Sequence, residues 1–325
     1  MSRRLGEFEL IAEYFAPLAT APGAFALGDD AGQFEVPVGQ VGMVTTDTMV
    51  EDIHFFANDP GDVVGWKLLA VNLSDLAAMG ATPLGYTLDI ALSEERSAAW
   101  LRAFVNGLAE CQRRFGTSLL GGDTVRATGP LTLTITAIGA VPAGAALRRN
   151  GAKEGDAVWV SGTIGDGALE VKLRKGWTPP AGIDVGSLSK KLNRPEPRLA
   201  LGVALRGHAR AAIDVSDGLA ADLGHICEQS DVGAEVRLAD VPLSPAAAAL
   251  LAADPALAAT IVAGGDDYEL LFTAAESETA AVLAAARDAE TPIARIGRVT
   301  AEPGVRIVGR DGKALALDRL GFTHF

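Results

Sequence analysis

One short pattern occurs twice in this chain, and it constrains the fold more than any bulk property. VNLSDLAAMG (71–80) is followed by GGDT (121–124), and IDVSDGLAADLG (213–224) is followed by GGDD (264–267). From Asp75 to Asp123 is 48 residues, and from Asp217 to Asp266 is 49. The echo reads as two related halves facing one site; on motifs this short, chance recurrence is the competing reading. A length of 325 residues suffices for two domains, each with its own core. Turn residues and the Arg148–Arg149 pair between Pro142 and Gly155 mark the boundary. The domains are therefore expected at 1–145 and 146–325.

Periodicity supplies the elements. Phe8, Ile11, Ala12 and Phe15 recur at helical spacing, which predicts an amphipathic opening helix. Residues 41–46 read as a strand. So does the alternation of Leu131, Leu133, Ile135 and Ala137 with Thr132, Thr134 and Thr136. The stretch 62–79 is apolar on most faces, the mark of a buried helix. Trp100, Phe104, Leu108, Cys111 and Phe115 trace another, with Leu101 and Val105 widening its stripe. Further along, strands are expected at 157–160, 211–215, 268–273, 293–299 and 305–308. A loop is expected at 178–189, a helix from Leu219, and one or two helices over 245–263 broken at Pro255. Strands and helices intermix in both halves, so the class is α/β or α+β.

The charge balance, 28 basic against 41 acidic residues, repels nucleic acid and anionic lipid. No run of about 18 apolar residues occurs, and Glu7, Glu9 and Glu13 interrupt the opening where a signal peptide needs an apolar core. A cytoplasmic protein with no nucleic-acid or membrane role is expected. Cys111 and Cys227 form no CxxC pair and sit in apolar helical patterns, which argues against a disulfide scaffold or a thiolate zinc site.

An acidic protein binds polyphosphate only through cations, and the carboxylates here suit that role. They recur beside glycine, serine or threonine at abrupt ends of apolar runs: GDD (28–30), TTDT (45–48), SD (74–75), GGD (121–123) and DVSDG (214–218). Mg²⁺ is a hard ion that takes oxygen ligands and keeps several waters, so one or two carboxylates per ion plus substrate phosphates suffice. Glycines let a phosphate approach the backbone, and a strand ending in TTD delivers oxygens where α/β folds bind ligands. Taken singly, each motif is also a turn or a helix N-cap, and Asp75 and Asp217 in particular can cap the helices after them. Five in one chain point to a multi-metal site. The sequence has no GxxxxGK[ST], no HRD…N with DFG, and no GxGxxG opening a helix. His54, His208, His225 and His324 lack zinc-hydrolase spacing, and there is no GxSxG elbow.

Together these motifs resemble the thiamine-monophosphate kinase family. The matching stretches are GEFELIAEYF (6–15), GDDAG (28–32), TTDTMVEDIHF (45–55), KLLAVNLSDLAAMGATP (67–83), GGDT, LRRNGAKEGD (147–156), AIDVSDGLAADLGHI (212–226), GGDDYEL (264–270) and GFTHF (321–325). The resemblance implies two domains like those of aminoimidazole ribonucleotide synthetase, with N-terminal strands forming a homodimer interface and ATP bound along an acidic cleft. It implies Mg²⁺ ligation by Asp30, Thr45, Thr46, Asp47, Asp75, Asp123, Asp214 and Asp217. ATP contacts would fall at Gly122, Asp123, Arg149 and Ser216, with Arg148 the alternative arginine. Thiamine monophosphate contacts would be His54, Asp266 and Phe322. Asp266 stands where glutamate is frequent in the family, and Phe322 where Trp or Tyr is frequent.

The implied reaction is ATP-dependent, in-line phosphorylation of thiamine monophosphate to thiamine diphosphate, assisted by several Mg²⁺ ions. A phosphomonoester has its second pKa near about 6, so the acceptor is already ionised and no catalytic base is expected. His54 also reads as a histidine packed beside Phe55 and Phe56, and Phe322 as a core plug. Two alternatives carry the same core motifs: aminoimidazole ribonucleotide synthetase and a non-catalytic Mg²⁺- or nucleotide-binding regulator. Selenophosphate synthetase needs a reactive Cys or selenocysteine near its N-terminus, and no cysteine precedes Cys111.

Overall fold

The structure, a computed structural model, describes residues 6–93, 96–309 and 311–322. The first five residues, and the last three of the closing GFTHF with His324, lie outside the described residues. The chain divides into two compact units. One runs through Leu76 and resumes at Ala81–Ala143; the other takes Ala77–Gly80 and everything from Gly144.

The first unit opens with a short helix α1 (Glu7–Leu10) that passes into a π-turn (Ile11–Phe15) and a 3₁₀ turn (Ala16–Leu18). The wider π-turn shifts the apolar stripe away from that of a regular amphipathic helix: Tyr14, Phe15 and Leu18 are buried, while Phe8 and Ala12 are exposed. The body of the unit is β1 (Gln40–Val50), α2 (Gly61–Ala78), β2 (Thr82–Ser93), α3 (Ala98–Phe115), β3 (Leu119–Ala127) and β4 (Thr132–Pro142). The strands form one sheet in the order β1-β4-β2-β3, antiparallel except for the parallel β2–β3 pair. α2 is apolar nearly all round and accordingly buried. α3 is capped by Ser97, whose hydroxyl accepts the Trp100 N–H, and ends at left-handed Gly116. The two helices touch backbone to backbone: a Cβ at Gly65 would lie 2.1 Å from the Phe104 carbonyl oxygen, and one at Gly107 2.0 Å from that of Asp62.

The second unit carries β5 (Ala157–Ser161), α4 (Asp166–Arg174), α5 (Leu188–Asn193), α6 (Leu199–Ala204), β6 (Ala211–Asp214), α7 (Leu219–Ser230), β7 (Gly233–Arg237), α8 (Pro245–Ala253), α9 (Leu257–Ala263), β8 (Leu270–Ala274), α10 (Thr279–Asp288), β9 (Ile293–Thr300) and β10 (Gly304–Val308). Its six-stranded mixed sheet has the order β10-β7-β9-β5-β8-β6. Alternation along β5 sends Val158 and Val160 into one core with α7, α8 and α9. Ala157 and Trp159 enter a second core with Leu201 and α10. With both faces covered, β5, β6 and β8 are buried throughout, which is why they are apolar apart from Ser161, Asp214 and Thr273. Cys111 and Cys227 are free and buried, and no helix among the described residues is long and apolar enough to cross a membrane.

Candidate active site

The first unit gathers an acidic pair on the inner side of its edge strand. TTDT lies inside β1 rather than at its end, so strand alternation decides which oxygens can converge. Thr45 and Asp47 turn towards α2, where the Thr45 hydroxyl donates to the Asp75 carboxylate at 2.5 Å. Asp75 sits in the last turn of α2 and so does not cap a following helix. Asp47 and Asp75 are close enough to share a hydrogen bond. Burial, with the neighbouring Asp75 charge added, pushes the Asp47 carboxyl from 3.8 up to about 7. The Asp47 backbone N–H donates to the Oδ1 of Asn72 at 3.0 Å, and the Asn72 amide donates to the Leu68 carbonyl; Asn72 is fully buried.

Thr46 faces the other way. Its hydroxyl donates to the Ile135 carbonyl and accepts from Thr136, on the exposed side of the sheet. Asp123 likewise stands exposed on β3, in register with Asp89, and accepts its own neighbour's N–H, that of Thr124. Gly122 lets β3 press onto β2, since a Cβ there would meet the Leu88 oxygen at 1.9 Å. Asp30 is exposed in a loop that Gly32 pins against Leu120, two residues before Gly122. His54 follows β1, half-buried, and its Nδ1 accepts the Val50 N–H at 3.0 Å.

The second unit gathers the remaining residues around the loop between β6 and α7. Asp214 ends β6 and is buried, while Ser216 and Asp217 are half-buried beyond it. Asp217 does not cap α7. Instead Asp222, inside the helix, accepts the N–H groups of Ser216, Asp217 and Gly218 at 3.0–3.1 Å. Burial outweighs those three donors, and with the Asp217 charge nearby the Asp222 carboxyl rises to about 7. The loop's carbonyls in turn hold two further candidate residues of this unit. Ser216 O accepts the Asp266 N–H at 2.9 Å and Asp217 O accepts the Phe322 N–H at 3.0 Å. Asp266 and Tyr268 both have positive φ, 70° and 51°, and the Tyr268 hydroxyl reaches the Asp266 carboxylate at 3.3 Å. Phe322 is 43% exposed rather than a core plug. Arg149 is exposed, and its carbonyl accepts from Ser230 at the last residue of α7, the opposite end of a 12-residue helix from Ser216.

Three elements of this arrangement escape motif reading: Asn72, Asp222 and Glu269. Glu269 is wholly buried against Arg198, which binds it with two nitrogens at 2.7 Å, and it also pairs with Lys191 and accepts from Ser161. Those cations hold its carboxyl below the usual range despite burial. A polar residue inside an apolar run, as in VNLSD, is the one sequence signal that singles out such positions.

Residues 28–141 match the AIR synthase related protein N-terminal domain, and residues 153–310 match the C-terminal domain of the same family. The chain thus belongs to the AIR synthase related proteins, with their two-domain mixed α/β fold. Within that group it is 41% identical over 324 residues to the thiamine-monophosphate kinase of Escherichia coli (strain K12), covering 98% of either chain. The crystal structure of thiamine-monophosphate kinase from Stenotrophomonas maltophilia K279a superposes with a TM-score of 0.79 at 44% identity, covering 89% of this chain and 91% of that one. The structure of AaThiL complexed with AMPPCP and TMP superposes with a TM-score of 0.75 at 28% identity over the whole of both chains. The chain belongs to the thiamine-monophosphate kinases, phosphotransferases whose acceptor is itself a phosphate group.

Proposed function

We propose that this chain transfers the terminal phosphoryl group of ATP to the phosphate of thiamine monophosphate, yielding thiamine diphosphate and ADP. Several Mg²⁺ ions would be held by Asp30, Thr45, Asp47, Asp75, Asp123, Asp214 and Asp217, while the Thr46 side chain, expected among them, turns to the other face of β1. An acceptor phosphate oxygen attacks the γ-phosphorus while the bond to the β,γ-bridging oxygen breaks, and its electron pair leaves on ADP. The acceptor oxygen is already ionised at neutral pH, so no side chain has to take a proton. When bound, Mg²⁺ supplies positive charge that offsets the repulsion of two anions and the charge developing on the transferring oxygens.

The protein's part is to position. Gly122, Asp123, Arg149 and Ser216 take ATP, with a permanently charged guanidinium suited to two phosphate oxygens at once. His54 and Asp266 take the thiamine phosphate, and the exposed Phe322 ring offers a flat apolar face to a pyrimidine or thiazolium ring. The observation that carries this reading is the Asp47–Asp75 pair beside the Thr45 hydroxyl, hard oxygens whose mutual repulsion a cation relieves. Membership of the kinase family supports the choice of acceptor.

We further assign residues 1–145 to the nucleotide- and metal-binding domain and 146–325 to the domain that completes the site, in a cytoplasmic homodimer. The sheet edge at β1 supports dimerisation: among the described residues β1 pairs only with β4, and Val41 and Val44 are 44% and 72% exposed on it. Sedimentation equilibrium tests the dimer, with a monomer at micromolar concentration as the contrary result. ADP release tests the activity. It is expected with thiamine monophosphate present, and not with free thiamine or with ATP alone; comparable turnover of free thiamine would overturn the reading.

A further inference from the structure

In the second unit, the Ser216–Gly218 loop is hydrogen-bonded on every side. Its three N–H groups converge on one oxygen of Asp222, and two of its carbonyls accept the backbone N–H groups of Asp266 and Phe322. One residue earlier, Val215 exchanges bonds with the β8 approach: its N–H donates to Glu269 O and its carbonyl accepts from Tyr268. The packing leaves no slack. A Cβ at Gly265 would lie 2.0 Å from Ser216 O, and Gly218 has φ of 136°, backbone that side chains rarely adopt. Ser216 and Asp217 lie on the nucleotide and metal side of the proposed function. Asp266 and Phe322 lie on its thiamine side. One loop therefore fixes the backbone of both.

Two roles are available to Asp222. Its carboxylate, that of Asp217 and the His225 ring carry ligand atoms within 4.8 Å of one another, which is metal-ligand spacing. Against that, Asp222 is 2% exposed, and the oxygen it turns to the loop already accepts three N–H groups. A carboxylate oxygen with three short donors is committed to them.

We propose that Asp222 is a positioning residue that clamps the Ser216–Gly218 loop, and that through this loop it sets the geometry of the ATP and thiamine monophosphate contacts together. The proposal rests on the function assigned above to Ser216, Asp217, Asp266 and Phe322. Asp222→Ala removes the acceptor for all three N–H groups, and a loop freed by a fraction of an ångström loses about a hundredfold in kcat/KM. Asp222→Asn keeps an oxygen in place as a neutral acceptor, and stays within about tenfold of the parent.

The experiment measures kcat and both KM values for the parent, Asp222→Ala and Asp222→Asn across a Mg²⁺ titration, with the melting temperature of each preparation. The clamp predicts that Ala raises the KM for ATP and for thiamine monophosphate alike, that Asn rescues both, and that the Mg²⁺ giving half-maximal rate is unchanged in Asn. Asn as impaired as Ala, with a raised Mg²⁺ requirement, would make Asp222 a ligand and overturn the clamp. Lowered melting temperature with parental KM values would overturn it too. If Ala does not fold, the Asn variant alone decides by the same criteria. If the parent does not turn over thiamine monophosphate, the functional reading fails separately, and calorimetric binding of a non-hydrolysable ATP analogue with Mg²⁺ to the same variants decides the clamp. Parental affinity in Ala would then reject it, and loss in Ala with recovery in Asn would uphold it.

Discussion

Asp47 in the first unit and Glu269 in the second are both inward-turned carboxylates, and their surroundings treat them oppositely. Glu269 is wholly buried yet held below its ordinary range, because Arg198 binds it in two places and Lys191 adds a second positive charge. Asp47 is less buried yet pushed up to about 7, because burial strips water from its carboxylate and its neighbour Asp75 adds negative rather than positive charge. Two cations of the fold hold Glu269, whereas Asp47 has an acid beside it, an arrangement that a divalent cation would relieve. A carboxylate held by its own cations belongs to the architecture, and a carboxylate set beside another acid suits the cation-binding role proposed for Asp47.

Substituting each residue by its amide probes that contrast most strongly. Asp47→Asn preserves shape but removes the charge that attracts Mg²⁺, so kcat is expected to fall at least about a hundredfold with the fold intact. Steady-state ADP release and circular dichroism on one preparation check both halves of the statement. Glu269→Gln strands Lys191 and Arg198 without their partner, and urea unfolding should show a loss of about 3 to 5 kcal/mol. An equally stable Glu269→Gln chain would erase the distinction.

The pH dependence of the metal-free protein sharpens the comparison further. The folded state holds the Asp47 proton more tightly than the unfolded chain does, so this contribution is complete below 3.8 and is lost as pH rises through about 7. In EDTA, the urea midpoint should fall from about pH 5 to about pH 8, and Asp47→Asn should remove that part of the slope. The smallest effect concerns Phe322, whose exposed ring contributes little to the core. Phe322→Ala is expected to raise the KM for thiamine monophosphate about three- to tenfold and leave that for ATP and the melting temperature nearly unchanged. A lowered melting temperature with unaltered KM would return Phe322 to the core.

Much of this was legible in residue order. The buried helix over 62–79, the break at Pro255 and the Leu131–Ala137 alternation all appear in the structure as α2, the gap between α8 and α9, and β4. Periodicity works there because burial follows a single face or a whole surface. β2 and β3 were not legible, and GGDT gave no strand signal. Two adjacent glycines have low strand propensity, and they are tolerated because Gly122 must approach Leu88 of β2 closely. Strand alternation also separates Thr46 from Thr45 and Asp47, a consequence of TTDT lying inside β1 that a motif read as a strand end hides. The candidate carboxylates themselves stood out beside glycine and hydroxyl residues. Their supports did not, because those depend on distant partners: Glu269 meets Arg198 across 71 positions and Ser161 across 108. Asp222 is nearer in sequence to the loop it holds, but an acid in the first turn of a helix is commonplace and carries no signature of three convergent N–H groups.

The Asp47–Asp75 pair, acid beside acid with the Thr45 hydroxyl next to it, is the place where a divalent cation is expected to bind. Thermal unfolding of the parent chain and of Asp47→Asn, each in EDTA and in millimolar Mg²⁺, tests it most directly. Mg²⁺ is expected to raise the melting temperature of the parent more than that of the variant, and in EDTA the variant should be at least as stable as the parent. An equal Mg²⁺ shift in both chains, or a variant that is less stable in EDTA, would contradict it.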